Sequence, residues 1–413
     1  MGLLKSSSSG GVEFRYDSGW LSYSEAFPLS LSLPLGERTY RSSEVLPFLD
    51  NLLPDDEGVR RAIATRVNAT GPDPFSLLWE LGRDCVGALQ FLPAGNDPDW
   101  HTLPHGESVS DEQVEVILKS LSTSPLGLSR DTGFRVSVAG AQEKTALLRT
   151  AEGWQSPRGT TPSTHIIKPA IGMRDDVDLT DSVENEYLCM RVVAEVGLPT
   201  ANVAMSHFGD VKALVVERFD RLWEGGSLRR LPQEDICQAL SVPSFRKYEA
   251  NGGPGMTQVL DLLLQSDAPE EDRRRFFQAC YLFWILGATD GHAKNFSLAL
   301  ESQGRFRLAP LYDVMSLQYN VDLHQVRRRE YRVAMAVGTS RHYRMDEVLP
   351  RHFIQTATAA GVSSSSATAW MDEIREAIPG AVERVRMAGG EAVPAAMFES
   401  IARGAVRRAA LPA

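Results

Sequence analysis

The sequence predicts an α+β chain in two lobes, a sheet-rich half followed by a helix-rich half. Three observations carry this expectation. Strand-like apolar stretches crowd the span from about 134 to 218, the long helical patterns lie beyond 222, and 413 residues suffice for about two to three domains. Hydrophobic residues are 43% and charged residues 23%, a balance that can bury a sizeable core. Net charge is −10, from 43 basic and 53 acidic residues. That argues against wholesale non-specific nucleic-acid binding and leaves room for a local basic patch.

Residues 1–108 read as one unit. Val12-Glu13-Phe14-Arg15-Tyr16 alternates like a strand, and the proline-interrupted segment Phe27 to Pro34 reads as an edge strand or extended loop. Ser43 to Leu49, Asp56 to Val67 and Pro74 to Gly87 have helical spacing, and the Pro/Gly/Asn/Asp-rich stretch Ala94 to Ser110 is a linker by composition. Residues 109–221 read as mixed: a helix over Asp111 to Leu121, strands at Phe134 to Val138, Thr145 to Arg149, His165 to Lys168 and Ala213 to Arg218, and a helix over Asp181 to Gly197. Residues 222–413 read as mainly helical, over Gln233 to Leu240, Met256 to Ser266, Pro269 to Thr289, Met345 to Ala360, Ser364 to Ile378 and Glu391 to Ala410. A hairpin interrupts them, Phe296 to Glu301 and Phe306 to Ala309. No internal repeat is evident.

The four cysteines, Cys85, Cys189, Cys237 and Cys280, are far apart and form no C-x-x-C, so a disulfide framework is not expected and a reducing cytoplasm fits. The first eleven residues lack the apolar region of a signal peptide, and the longest strongly apolar run, Cys280 to Ala288, is far too short to span a membrane.

The sharpest chemical signal is Ala288-Thr289-Asp290-Gly291-His292-Ala293-Lys294-Asn295-Phe296, where a long apolar helix gives way to a strand. Asp290 and Asn295 have the Asp-x-x-x-x-Asn spacing of a protein-kinase catalytic loop: the Asp accepts the proton of the attacking hydroxyl, and the Asn ligates a magnesium ion on the phosphates. Asp313, after the expected hairpin, stands where such an enzyme keeps its second metal-binding Asp, although Val314-Met315 follows it rather than Phe-Gly. Lys168, closing Thr164-His165-Ile166-Ile167-Lys168, suits the strand lysine that holds phosphates, with Glu184 or Glu186 as its partner. Each has a plainer reading alone: Asp290-Gly291 a turn, Asp313 a turn cap, Lys168 a surface lysine with a buried stem. Their order along the chain is what points to phosphoryl transfer. Ser137 to Thr145, around Gly140, matches neither G-x-x-x-x-G-K-[ST] nor G-x-G-x-x-G and reads on pattern alone as an ordinary hairpin. His101 and His105 lie in the linker and do not make a metal site. Arg273-Arg274-Arg275 and Arg327-Arg328-Arg329 read as solvated faces, with phosphate or nucleic-acid contact the minority reading, and Asn251 to Gly255 reads as a loop.

Taken together, Ser137 to Leu147, Thr164 to Lys168, Val216-Glu217-Arg218-Phe219-Asp220-Arg221, Leu231 to Asp235, Lys247-Tyr248-Glu249 with Gly252-Gly253-Pro254-Gly255, and Gly287 to Asn295 resemble the HipA family of Ser/Thr-kinase toxins. Phe27 to Leu35 and Leu46 to Pro54 resemble the family's N-terminal subdomain, so the likeness covers nearly the whole chain. Family members usually begin some residues before the Gly2-Leu3-Leu4-Lys5 segment. The resemblance implies a two-lobe kinase-like fold: an HipA N-terminal subdomain over 1–108, an N-lobe with phosphate-binding loop and hinge over 109–221, and an all-α C-lobe with the catalytic loop over 222–413. It implies ATP and Mg²⁺ as cofactors, Asp290 as base, and Asn295 and Asp313 as metal ligands. The ATP contacts it implies are Val138, Ala139, Gly140, Ala141, Gln142, Glu143 and Lys144 of the loop, Lys168, Glu217, Arg218 and Phe219 of the hinge, and Gln233, His292, Asn295, Tyr312 and Asp313. Ser137 would be the autophosphorylated serine. The implied substrate is an aminoacyl-tRNA synthetase, glutamyl-tRNA synthetase foremost, with blocked translation, growth arrest and persistence as the outcome. The implied partner is a HipB-like helix-turn-helix antitoxin, with operator DNA met mainly through it. Two alternatives use the same residues differently: a small-molecule phosphotransferase, and a non-catalytic co-repressor that only binds the antitoxin.

Overall fold

Three apolar strands form the middle of the main sheet in the first half. His165–Pro169 lies between Val211–Glu217 and Thr145–Thr150, all antiparallel, with Leu214 opposite Lys168 and Thr145 opposite Ile167. The full sheet has the order Val203–Phe208, Val211–Glu217, His165–Pro169, Thr145–Thr150, Gly153–Pro157, Gly106–Ser108. The computed structural model describes residues 1–7, 10–95, 104–128, 136–137, 139–140, 142–389 and 392–412. It divides into two units, one of Met1–Pro169, Ser206–Phe245 and Leu298–Phe306, the other of Ala170–Met205, Arg246–Ser297 and Arg307–Ala413.

In the first unit the helix Asp111–Ser120 starts at Ser110, whose hydroxyl accepts from the Gln113 N–H. Its apolar face, Val114 and Leu118, packs on Leu147, Ile167, Phe208 and Val215 of the sheet. A second core gathers Phe14, Tyr16 and Tyr40 with Phe48, Leu49, Leu77 and Leu81, from the strands and helices of the N-terminal segment. Gly2–Ser6, unremarked in the sequence because it is short and exposed, is a strand by virtue of pairing with Val12–Tyr16. The Phe27–Pro34 segment is not a strand: it makes one bridge, Ser30 to Leu33. The expected strand at 134–138 falls largely outside the described residues, and Val136 and Ser137 are not in a strand.

The second unit is mainly helical: Ser182–Glu195, Met256–Leu262, Pro269–Leu286, Pro350–Ala359, Ser364–Met387 and Ala395–Ala409. The eighteen-residue helix Pro269–Leu286 buries Phe276, Phe277, Tyr281, Phe283 and Trp284. It opens with Pro269 and three acids, favourable at the positive end of the helix dipole, and ends at Gly287, whose φ of 74° is the left-handed cap. Prolines also corrected two expected starts, to Pro350 rather than Met345 and to Ala395 after Pro394. Two hairpins accompany the helices, Gly172–Arg174 with Val177–Leu179 and Arg332–Val337 with His342–Arg344. In the first unit, the expected helix Gln233–Leu240 is a strand, Gln233–Asp235, then a short helix, Ile236–Ala239, capped by the Asp235 carboxylate. No described helix is long and apolar enough to cross a membrane.

Candidate active site

The catalytic-loop residues sit where the long helix stops. Past Gly287 the chain makes a bridge from Ala288 to Ser316, so the segments leading to Asp290 and away from Asp313 are tied together. The tie is reinforced at Ser316: its hydroxyl donates to Leu286 O (2.6 Å), its N–H to Asn185 Oδ1 (2.9 Å), and its carbonyl accepts from Asn185 Nδ2 (2.8 Å). Asn185 and Ser316 are buried, so these bonds are protected from water.

Within that frame Asp290, His292, Asn295, Tyr312 and Asp313 come together. Asn295 Nδ2 donates to the Asp290 carbonyl (2.7 Å), which fixes the amide so that Oδ1 is its remaining polar atom. The Asp290 side chain is half exposed and His292 is buried, with Nε2 3.6 Å from Asp290 Oδ1. Burial holds the His292 imidazole below its ordinary pKa, although Asp290 and Asp313 both pull it the other way. The ring is therefore neutral at pH 7, and its buried Nδ1 has no hydrogen-bond partner among the described residues. Tyr312 Oη bonds Ser297 Oγ (2.7 Å) and Lys294 O (3.0 Å), fixing the residue before Asp313. Asp313 itself has a φ of 60°, a left-handed conformation that a short polar side chain tolerates.

Tyr248 joins this cluster without a role expected from its sequence position. Its hydroxyl donates to Asp290 Oδ1, and its ring stands edge-on to His292 at 4.8 Å between centroids. The signal was present in the Lys247-Tyr248-Glu249 segment, but nothing in spacing links it to a loop forty residues away.

The first unit holds most of the remaining candidates, and the second unit holds Glu184 and Glu186. Lys168 is buried near the end of its strand. Gly140 has a φ of 112°, where a side chain would be strained, and Lys144 Nζ donates to Ala139 O (2.7 Å) across the turn. Gln142 Nε2 donates to Pro169 O (3.1 Å), and Glu143 is exposed. Val138 and Ala141 lie outside the described residues, as does His101. Ser137 is fully buried, its hydroxyl donating to Leu52 O (2.7 Å) and its N–H to Asp84 O (3.0 Å). Glu217 is exposed and Phe219 partly so, but the Arg218 side chain is committed elsewhere. It pairs with Asp220 (2.8 Å) beside Asp84, Arg221 and Arg230 in a buried network, so any ligand contact at 218 runs through backbone. Gln233 Oε1 is buried with no hydrogen-bond partner among the described residues, an acceptor left for something else. Glu184 and Glu186 are both buried on the helix Ser182–Glu195.

Residues 136–382 match the family model of the HipA-like C-terminal domain, and residues 1–92 that of the HipA N-terminal domain. The chain belongs to the HipA family. It is 31% identical to the serine/threonine-protein kinase toxin HipA of Shewanella oneidensis, over 75% of this chain and 71% of that one. It is 35% identical to Y4mE of Sinorhizobium fredii, over 80% of this chain and 76% of that one. The solved complex of Shewanella oneidensis HipA with HipB and its operator DNA superposes with a TM-score of 0.82 at 25% identity, covering 99% of this chain and 94% of that chain. The chain is thus a kinase of the HipA serine/threonine type, and the expected mixed, kinase-like fold class holds.

Proposed function

We propose that this HipA-type kinase transfers the γ-phosphate of ATP to a serine of another protein. The observation that carries the reading is the tied cluster of Asp290, His292, Asn295 and Asp313. Asp290 accepts the proton of the attacking hydroxyl. Asn295 Oδ1 and Asp313 supply hard oxygen donors, the chemistry magnesium takes, and few protein ligands suffice because phosphate and water fill the rest. The ion neutralises charge on the transferring phosphate when bound. Lys168 holds the phosphates. The Gly140 turn, with Ala139, Gln142, Glu143 and Lys144, offers backbone N–H groups to them, and the family resemblance adds Val138 and Ala141 as contacts. Glu217 to Phe219 and Gln233 read the base.

Ser137 is the proposed site of self-phosphorylation. Its hydroxyl must first leave Leu52 O, and a phosphate carrying about −1.5 to −2 charge does not fit back into a fully buried position. Modification therefore holds the segment out and switches the enzyme off. The family resemblance supports an aminoacyl-tRNA synthetase, glutamyl-tRNA synthetase foremost, as substrate, with blocked translation, growth arrest and persistence following. The relative solved with HipB and operator DNA supports a HipB-like antitoxin as partner, with DNA reached mainly through it.

The test is transfer of label from γ-labelled ATP, followed by identification of the labelled amino acid. Phosphoserine on a protein is expected. Label found solely on small hydroxyl compounds contradicts the reading.

A further inference from the structure

The arginine run that reads from sequence as a solvated face is exposed as expected, and two of its members also line a concavity. A cavity of about 510 Å³ in the second unit is bounded by the turn after residue 323 and by the helix Ala395–Ala409. Arg327 and Arg328 line it from the turn, and Arg403 and Arg407, one helical turn apart, from the helix. Asp322 is the acid on its wall, and it is already engaged. Its Oδ1 accepts from Gln318 Nε2 (2.9 Å), its Oδ2 from Ser400 Oγ (2.7 Å), and Arg403 lies 3.8 Å away. Arg327, Arg328 and Arg407 have no ion pair among the described residues.

The floor is built rather than incidental. Gly404 is buried there, and a Cβ at that position would lie 2.8 Å from Gln318 Oε1. The same Oε1 accepts from Arg408 Nη1 (2.7 Å), and Arg408 Nε donates to Ile285 O (2.8 Å). A buried, fixed guanidinium thus stands behind the floor while three unpaired ones stand around the rim. In a chain of net charge −10, so local a positive field is a recognition feature, since like charges gathered round one concavity repel until an anion enters. Guanidinium forks match phosphate oxygens in pairs, and the volume falls in the usual range for small-ligand sites, about 300–1,000 Å³.

We propose that this cavity is a binding site for a small, multiply phosphorylated molecule, separate from the candidate active site. A small ligand fits better than a nucleic-acid backbone because the charges ring a hollow instead of running as a stripe.

The test titrates inorganic pyrophosphate into the full chain by calorimetry, at about 0.15 M salt with chelator present. The panel is wild type, Arg327→Ala, Arg328→Ala, Arg407→Ala, the triple variant and Lys168→Ala, each checked for unchanged thermal melting; Arg327→Gln and Arg407→Gln replace any alanine variant that melts early. One-to-one binding that weakens about tenfold per arginine, vanishes in the triple variant and persists in Lys168→Ala supports the proposal. Binding that survives the triple variant, or no binding at all, overturns it. A parallel titration with a short DNA duplex gives the remaining outcome: duplex binding sensitive to the same arginines, without pyrophosphate binding, overturns the small-ligand assignment.

Discussion

At the scale of single residues, the candidate site depends on groups that hold Asp290 and its neighbours as much as on Asp290 itself. Tyr248 places a hydroxyl on Oδ1, and the neutral His292 ring packs beneath, so the other carboxylate oxygen is the one presented to an incoming hydroxyl. Tyr248→Phe should therefore lower kcat several-fold while leaving the affinity for ATP unchanged, as measured by steady-state kinetics beside equilibrium nucleotide binding. A matching fall in ATP affinity would assign Tyr248 to the nucleotide instead. Asn185 acts one step further out. Removing its amide strands the Ser316 N–H and carbonyl in the interior, at about 1–3 kcal/mol per unmet group. Asn185→Ala should lower the denaturation midpoint and slow phosphoryl transfer together, because the bridge from Ala288 to Ser316 loosens with it.

At the scale of elements, two buried polar clusters in the first unit decide how it responds to its surroundings. Glu234, on the strand Gln233–Asp235, is fully buried with Oε2 2.5 Å from Ser30 Oγ and Oε1 2.8 Å from Leu31 N. Burial pushes its carboxyl up to about 8, so the folded state keeps a proton that the unfolded chain releases near its ordinary value. Between those two values the unfolded state binds fewer protons, and stability falls as pH rises from about 4.5 to about 8. Glu234→Gln should flatten that slope, read from urea denaturation at a series of pH values. An unchanged slope would show that Glu234 does not carry the proton. The second cluster sets Asp84 and Asp220 against Arg218, Arg221 and Arg230. The arginines hold the Asp84 carboxyl far below the usual carboxylate range, against the opposing effect of burial. Asp84→Asn leaves buried guanidinium charge uncompensated and should cost about 3–5 kcal/mol in chemical denaturation.

These elements also show what the sequence could disclose. Strongly patterned helices were legible, Glu57–Val67 and Pro269–Leu286 to within a few residues, because apolar spacing and capping agree in each. Arg332–Val337 was not, since a strand buried on five of its six residues has no alternation and its Ala and Met favour helix. Gln233–Asp235 reads as helix from sequence because Asp235 looks like an interior residue, whereas its side chain caps the short helix at Gln238 N. The roles of Asp290, Asn295 and Asp313 were legible as spacing and order. Tyr248, Asn185 and Ser316 were not, because long-range hydrogen bonds between polar residues leave no periodic trace. The opposite holds for Arg218: its motif is visible, while the burial of its side chain is a tertiary fact.

At the scale of the whole molecule, an acidic chain gathers positive charge around one cavity, in the same mainly helical unit that carries the catalytic cluster. Net charge of this sign favours meeting nucleic acid through a basic partner, which fits the proposed antitoxin role. In the proposed reaction, Asp290 drives phosphate from ATP onto protein serine. Intact-protein mass spectrometry with phosphosite mapping, after incubation with Mg-ATP, tests it most directly on wild type and Asp290→Ala. Wild type should gain phosphate on serine, at Ser137 foremost, and Asp290→Ala should do so about 10² to 10⁴ times more slowly. Phosphate gained by Asp290→Ala at the wild-type rate would contradict the account.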